Sequence, residues 1–150
     1  MQKAVVWLIQ VSLVMFCMTG CVSTELISDI DPASDLSTLE SFYVVKFEPD
    51  DRGIETMIAN ELNSMGYQAT SGVEQTSPIP VDAIVTYRDK WMWDITMYML
   101  ELNIDLRDPK TNYSFASGRS YRTSLARKSP EEMTEEVLVK ILGDHRGEGQ

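Results

Sequence analysis

The sequence predicts a two-layer α+β sandwich, and three observations in the chain predict it. Strand-like runs fill its middle, two segments carry helical 3.6-residue periodicity, and strands and helices alike show a single apolar face. The expected order is β-α-β, then an antiparallel three-stranded meander and a C-terminal helix. Hydrophobic residues make up 43% of the 150 residues, enough for one core in a single domain expected over residues 41–143.

The first strand is read at Phe42 to Phe47, a β-branched and aromatic run. Glu48-Pro49-Asp50-Asp51 stops it and supplies acidic caps for a helix N-terminus. Ile54, Met57, Ile58, Leu62 and Met65 then mark one helical face, and Gly66 ends the helix as a left-handed cap. Tyr67 to Thr70 reads as a short second strand, and residues 71–80, with Gly72, Pro78 and Pro80, as a loop.

Val81 to Trp91 alternates Ala83, Val85 and Tyr87 with Asp82, Thr86 and Arg88. Trp93 to Leu106 sets Leu100, Leu102, Ile104 and Leu106 on one face. A turn at Asp108-Pro109-Lys110-Thr111-Asn112 leads into Tyr113 to Arg122. Ser129-Pro130-Glu131-Glu132 is a capping box with proline at the first helical position. Met133, Val137, Leu138, Ile141 and Leu142 follow on one face, and Gly143 closes the helix. Residues 144–150 read as a disordered tail.

The N-terminus has a different character. Lys3 precedes an apolar run, Ala4 to Met18, interrupted by Gln10 and Ser12 and closed by Met18-Thr19-Gly20-Cys21. A membrane-spanning helix needs roughly 20 predominantly apolar residues, which this run lacks. A plain secretory signal is the competing reading, since small residues also precede ordinary cleavage sites. The tetrapeptide resembles the lipobox of bacterial lipoprotein precursors, with Met18 where leucine is usual. That resemblance implies a signal peptide over residues 1–20, acylation of Cys21 and a mature chain that begins there. It further implies a diacylglyceryl group on the sulfur (palmitate-type chains) and, with Val22 rather than aspartate next, an outer-membrane location on the periplasmic leaflet. Two or more chains make a stable anchor where one gives only marginal binding. Residues 21–40, rich in Ser, Thr and Asp with Pro32, are expected to form the lipidated cysteine and a flexible tether. Beyond the lipobox, the order of elements is similar in outline to the lipopolysaccharide-assembly lipoprotein LptE and to the N-terminal domain of TolB-like proteins.

Charge excludes one class of partner. The net charge is −10, and removal of residues 1–20 takes away Lys3 and no acid. Nucleic-acid binding needs clustered Lys and Arg, so it is not expected. The chain has 2 cysteines, Cys17 in the leader and Cys21 at the lipidation position, so no internal disulfide is expected. With one histidine, His145, beside two glycines in the tail, neither a zinc site nor a positioned catalytic imidazole is expected. No cofactor is implied. No G-x-S-x-G elbow occurs at Gly118-Arg119-Ser120.

The most unusual composition lies at Tyr87 to Met99, with two tryptophans, two tyrosines and three methionines. Tyr87 and Met99 are expected in the core. Trp91 and Trp93, with Arg88 and Lys90, are the candidate partner-binding residues, because Trp, Tyr, Met and Arg are enriched at interfaces. The expected function is a non-enzymatic binding or assembly factor of the cell envelope that docks on a protein partner. Two alternatives stand beside it. One is a ligand- or lipid-binding protein with a methionine-lined pocket between sheet and helices. The other is a hydrolase using Asp89, Asp94 and Glu101, with Asp105 on the same hairpin.

Overall fold

The computed structural model describes residues 23–143. The leader, Cys21, His145 and the tail over 144–150 lie outside the described residues. The chain forms an α+β sandwich with a mixed six-stranded sheet and both helices on one face. In chain order the elements are β1 (Thr24–Ile30), β2 (Ser41–Val45), α1 (Ile54–Ser64), β3 (Gln68–Gly72), β4 (Ala83–Asp94), β5 (Thr96–Arg107), β6 (Ser114–Arg122) and α2 (Pro130–Leu142). The sheet order is β1-β6-β5-β4-β2-β3, with β2 parallel to β3 and β4 and the remaining pairs antiparallel.

The expected tether is corrected first. Thr24–Ile30 pairs along its whole length with Arg122–Ala116 of β6, and Leu36 is buried in the core. The segment shows little hydrophobic alternation because it is an edge strand that burial touches only at Ser28 and Ile30. The folded domain thus begins near residue 24 rather than 41.

The helices form where the capping chemistry places them. Ser129 accepts from the Glu132 N–H while the Glu132 carboxylate accepts from the Ser129 N–H, closing the capping box of α2. Asp50 caps α1 from upstream, accepting from the N–H groups of Ile54 (2.8 Å) and Arg52 (2.7 Å). Gly66 takes the left-handed conformation that ends α1, at φ 86°. The core is continuous between sheet and helices: Phe42, Val85, Leu102, Ile104 and Leu106 face Ile58, Leu62, Met133, Val137, Leu138 and Ile141. Phe42 and Tyr67 meet edge to face at 5.1 Å. Met99 and Met133 are buried side chains of this core, in the space between sheet and helices where the ligand-binding alternative would put a methionine-lined pocket.

Two carboxylates, Asp50 and Glu136, staple the layers. The Tyr87 hydroxyl, on β4, donates to Asp50 Oδ2 at 2.7 Å. Burial raises the Asp50 carboxyl pKa, but the Arg52 and Ile54 N–H groups and the Tyr87 hydroxyl outweigh it and hold the group below its ordinary 3.8. Burial and the Asp50 carboxylate push the Tyr87 hydroxyl the other way, well above its ordinary value. On α2, Glu136 accepts from Ser120 Oγ (2.5 Å) and Arg122 Nη2 (2.5 Å) of β6, and from Lys128. These partners again outweigh burial, so its carboxyl lies below 4.5.

Gly118 sets the distance between α2 and the sheet. A Cβ there would lie 2.9 Å from Ile141 Cδ1 and Val137 Cγ1. Gly118→Ala is therefore expected to lower stability by about 1–3 kcal/mol, read by denaturant unfolding. Asp50→Asn should cost about 1–3 kcal/mol near neutral pH, because it replaces a charged acceptor of buried donors. A depressed folded pKa gives stability that is present above the unfolded value and lost as pH falls through the folded one. The gap between Asp50→Asn and the native protein should accordingly narrow well below pH 3.8.

Candidate functional site: the end of the β4–β5 hairpin

The hairpin outruns its neighbours. β4 and β5 hold 12 residues each, against 9 in β6 and 7 in β1. Register locates the excess. Glu101 of β5 pairs with Tyr121, and Thr24 pairs with Arg122, so β6 and β1 stop near the level of Leu100. The hairpin continues through Trp91↔Met99, Met92↔Tyr98, Trp93↔Met97 and Asp94↔Thr96.

The reversal sits at Ile95, not near Met92 as the sequence suggested, so β4 extends to Asp94. Ile95 has φ 61° and is 87% exposed. The left-handed region costs a β-branched residue roughly 1–2 kcal/mol, which is why turn chemistry did not mark this position.

A bulge governs what the hairpin buries. Leu100 is an extra residue opposite the Lys90–Trp91 junction, and it changes the phase of β5 so that Met99 faces the helix-side core with Trp91. Met99 and Tyr87 are core, as expected. Trp91 is half-buried, packs on the core, donates its indole N–H to Asp89 Oδ2 at 2.6 Å, and carries the Arg52 guanidinium 4.4 Å above its ring. Trp93, two residues further out, is 68% exposed.

The four candidate binding residues do not form one surface. Successive residues of a strand point to opposite faces, so Arg88 and Lys90 face away from the helices while Trp91 and Trp93 face toward them. Arg88 lies 5.3 Å over the Phe47 ring. The tip carries a different set of exposed apolar side chains: Trp93 and Met97 on the helix-side face, Met92 on the other, and Ile95 at the apex. Arg127 braces the tip, donating to Asp94 O (2.6 Å) and Thr96 Oγ1 (2.5 Å) and lying 4.4 Å over the Tyr98 ring. Beside it, the short 3-10 turn Ser124–Ala126 exposes Leu125. Met92, Ile95 and Leu125 were legible only as hydrophobic residues; nothing local in the sequence marks them as exposed.

The hydrolase candidates are dispersed. Asp89 is engaged by Trp91 on the helix side, whereas Glu101 lies on the other face between Asn103 (2.9 Å) and Arg119 (3.0 Å), which hold its carboxyl below 4.5. Asp94 is at the tip with Arg127, and Asp105 accepts from Ser114. Among the described residues, no group of three or more His, Cys, Asp or Glu could hold a metal ion, and no helix is long and apolar enough to cross a membrane.

The helix-free face of the sheet carries a groove of about 1040 Å³ between the 73–82 loop and the 108–112 turn. Val45 and Ile84 form its apolar floor, with Lys46, Arg88, Asp105 and Arg107 around it.

No family model matches this chain, and no curated protein matches it. Among solved structures it is similar to a PelC dodecamer from Paraburkholderia phytofirmans, with a TM-score of 0.61 at 15% identity over 80% of this chain and 99% of that one. A point variant of that PelC dodecamer gives 0.57 at 16% identity, over 79% and 96% of the two chains. A DUF4136 family protein from Bacteroides thetaiotaomicron gives 0.47 at 10% identity, over 78% and 93%. At these identities the PelC likeness is one of fold.

The two tryptophans should separate experimentally. Trp91→Ala is expected to lower stability by about 1–3 kcal/mol, through lost packing and the lost Arg52 stack. Trp93→Ala should stay within about 0.5 kcal/mol of the native protein in the same unfolding measurement.

Proposed function

We propose that this protein is a lipid-anchored, non-enzymatic binding and assembly factor of the bacterial cell envelope, held to the periplasmic leaflet of the outer membrane by acyl chains on Cys21. The observation that carries the reading is where exposed apolar side chains gather. Met92, Trp93, Ile95 and Met97 cluster at the hairpin tip, and Leu26 and Ile27 lie on the edge strand β1, rather than in a cleft. Such surface is a contact surface, since isolated soluble domains seldom gather large apolar groups on a projecting element.

The partner we assign to the body of the domain is a second copy of the chain. The PelC chains of similar fold were solved as dodecamers. β1 offers what self-association needs: seven residues at the sheet edge, half-exposed Leu26 and Ile27, and backbone donors and acceptors on its outer side. Confinement to a membrane raises the effective concentration of copies, so modest contact affinity suffices.

A second reading, ligand binding, has the groove on the helix-free face in its favour, where Lys46, Arg88 and Arg107 stand among Glu48, Asp105 and Asp108 and would suit a polar ligand. It would add a role to the anchored protein rather than replace the anchor.

The test is labelling and fractionation of the full chain in its native envelope. Wild type should incorporate labelled palmitate and sediment with the outer membrane, whereas Cys21→Ser should do neither. Solubilised acylated protein should sediment as an oligomer, and Ile27→Lys should shift it toward the monomer. Unlabelled wild-type protein recovered in the aqueous fraction would overturn the anchor, and monomeric wild type would overturn the assembly role.

A further inference from the structure

The chain enters β1 at the end of the sheet that carries the apolar hairpin tip. β1 starts at Thr24, opposite Arg122, and runs away from that end; β4 arrives there and β5 departs from it. Cys21 stands three positions before Thr24, a covalent reach of at most about 11 Å. The tip extends beyond the Thr24–Arg122 level by the four residue pairs from Trp91↔Met99 to Asp94↔Thr96, on the order of 13 Å at about 3.3 Å per residue. An extended link can therefore bring the anchor close to the level of the tip.

We infer that the hairpin tip is a second membrane contact, entering the interfacial layer of the same leaflet that holds the Cys21 acyl chains, so that the sheet stands end-on to the bilayer. This rests on the proposed acylation of Cys21.

The chemistry of the tip fits a lipid interface. Trp93 offers an apolar ring system with one polar N–H, the side chain that settles at head-group level, and Met92, Ile95 and Met97 supply flanking hydrocarbon. Ile95 stands at the apex, almost fully exposed and at a positive φ, so in water it meets both an unfavourable solvent and an unfavourable backbone geometry. Hydrocarbon contact removes the first of these. Leu125, on the turn that Arg127 ties to the tip, adds apolar surface on the same side.

The protein is strongly acidic as a whole, yet the charges immediately behind the tip balance. Arg52, Lys90 and Arg127 offset Asp51, Asp89 and Asp94, and the Arg52 and Arg127 guanidiniums lie 4.4 Å over the rings of Trp91 and Tyr98. Anionic head groups are thus not met by a concentrated negative surface. An interfacial segment seated about 5–10 Å deep would take in the apex and the Trp93–Met97 pair while leaving Trp91 within the fold.

The test uses the full acylated chain reconstituted in phosphatidylethanolamine–phosphatidylglycerol vesicles, with the acyl group on Cys21 verified by intact mass. Once Cys17 leaves with the leader and Cys21 is acylated, an introduced cysteine is the one free thiol. Ile95→Cys carries a polarity-sensitive fluorophore at the tip, and Lys110→Cys carries it on the turn at the opposite end of the sheet. Both positions are exposed, so neither change removes a core contact. The expected result is a blue-shifted, severalfold brighter emission at 95, quenched by brominated lipid and protected from aqueous iodide, with position 110 behaving as if in water. Equal iodide quenching at the two positions on a chain verified as acylated would overturn the tip contact and leave the anchor standing. An unmodified Cys21 would overturn both.

Discussion

The length mismatch within the sheet is the constraint from which the rest follows. β4 and β5 run for twelve residues each, while β6, β1, β2 and β3 are shorter. Where all strands overlap, a helix layer covers one face and the core closes. Where the hairpin continues alone, its side chains have no flanking strand to bury them. The exposed tip is thus a product of strand register, and its apolar composition is the feature that needs a function.

The bulge at Leu100 refines this. It changes the phase of β5 beside Trp91, so Met99 enters the core and the ring of Trp91 is held there by Met99, Asp89 and Arg52. One residue of slip thereby divides the aromatic segment into an anchored half and a free half. The anchored half fixes the direction of the free one. Two polar staples behind it, Asp50 with Tyr87 and Glu136 with Arg122 and Ser120, tie each helix to a different part of the sheet. Both carboxylates accept from several donors at once and lie below their ordinary pKa, which makes the packing of the helix layer specific as well as stable.

Much of this was legible in the chain. The capping box of α2, the periodicity of α1, the Gly66 terminus and the apolar faces of β4 and β5 each follow from local chemistry, and together they yield the α+β class. Two elements escaped for physical reasons. β1 is an edge strand with few buried side chains, so Thr24–Ile30 carries little alternation and reads as linker. The reversal at Ile95 uses a residue that disfavours its own backbone conformation, so no turn signal marks it. At the site, composition singled out the hairpin segment but joined residues that the pleat separates: Arg88 and Lys90 share a face with the groove, Trp91 belongs to the core, and Trp93 belongs to the tip. The exposure of Met92, Ile95 and Leu125 depends on where neighbouring strands end, which is a long-range property.

The β1–β6 pairing has a mechanical corollary. A pull on the chain at Ser23, directed along the strand axis, loads all seven residue pairs from Thr24↔Arg122 to Ile30↔Ala116 together. Bonds loaded in parallel share the force, whereas a chain peeled from the side breaks them singly. An edge strand with modest burial can in this way hold firmly against tension from its own N-terminus, which is the direction from which an attachment at residue 21 would tug.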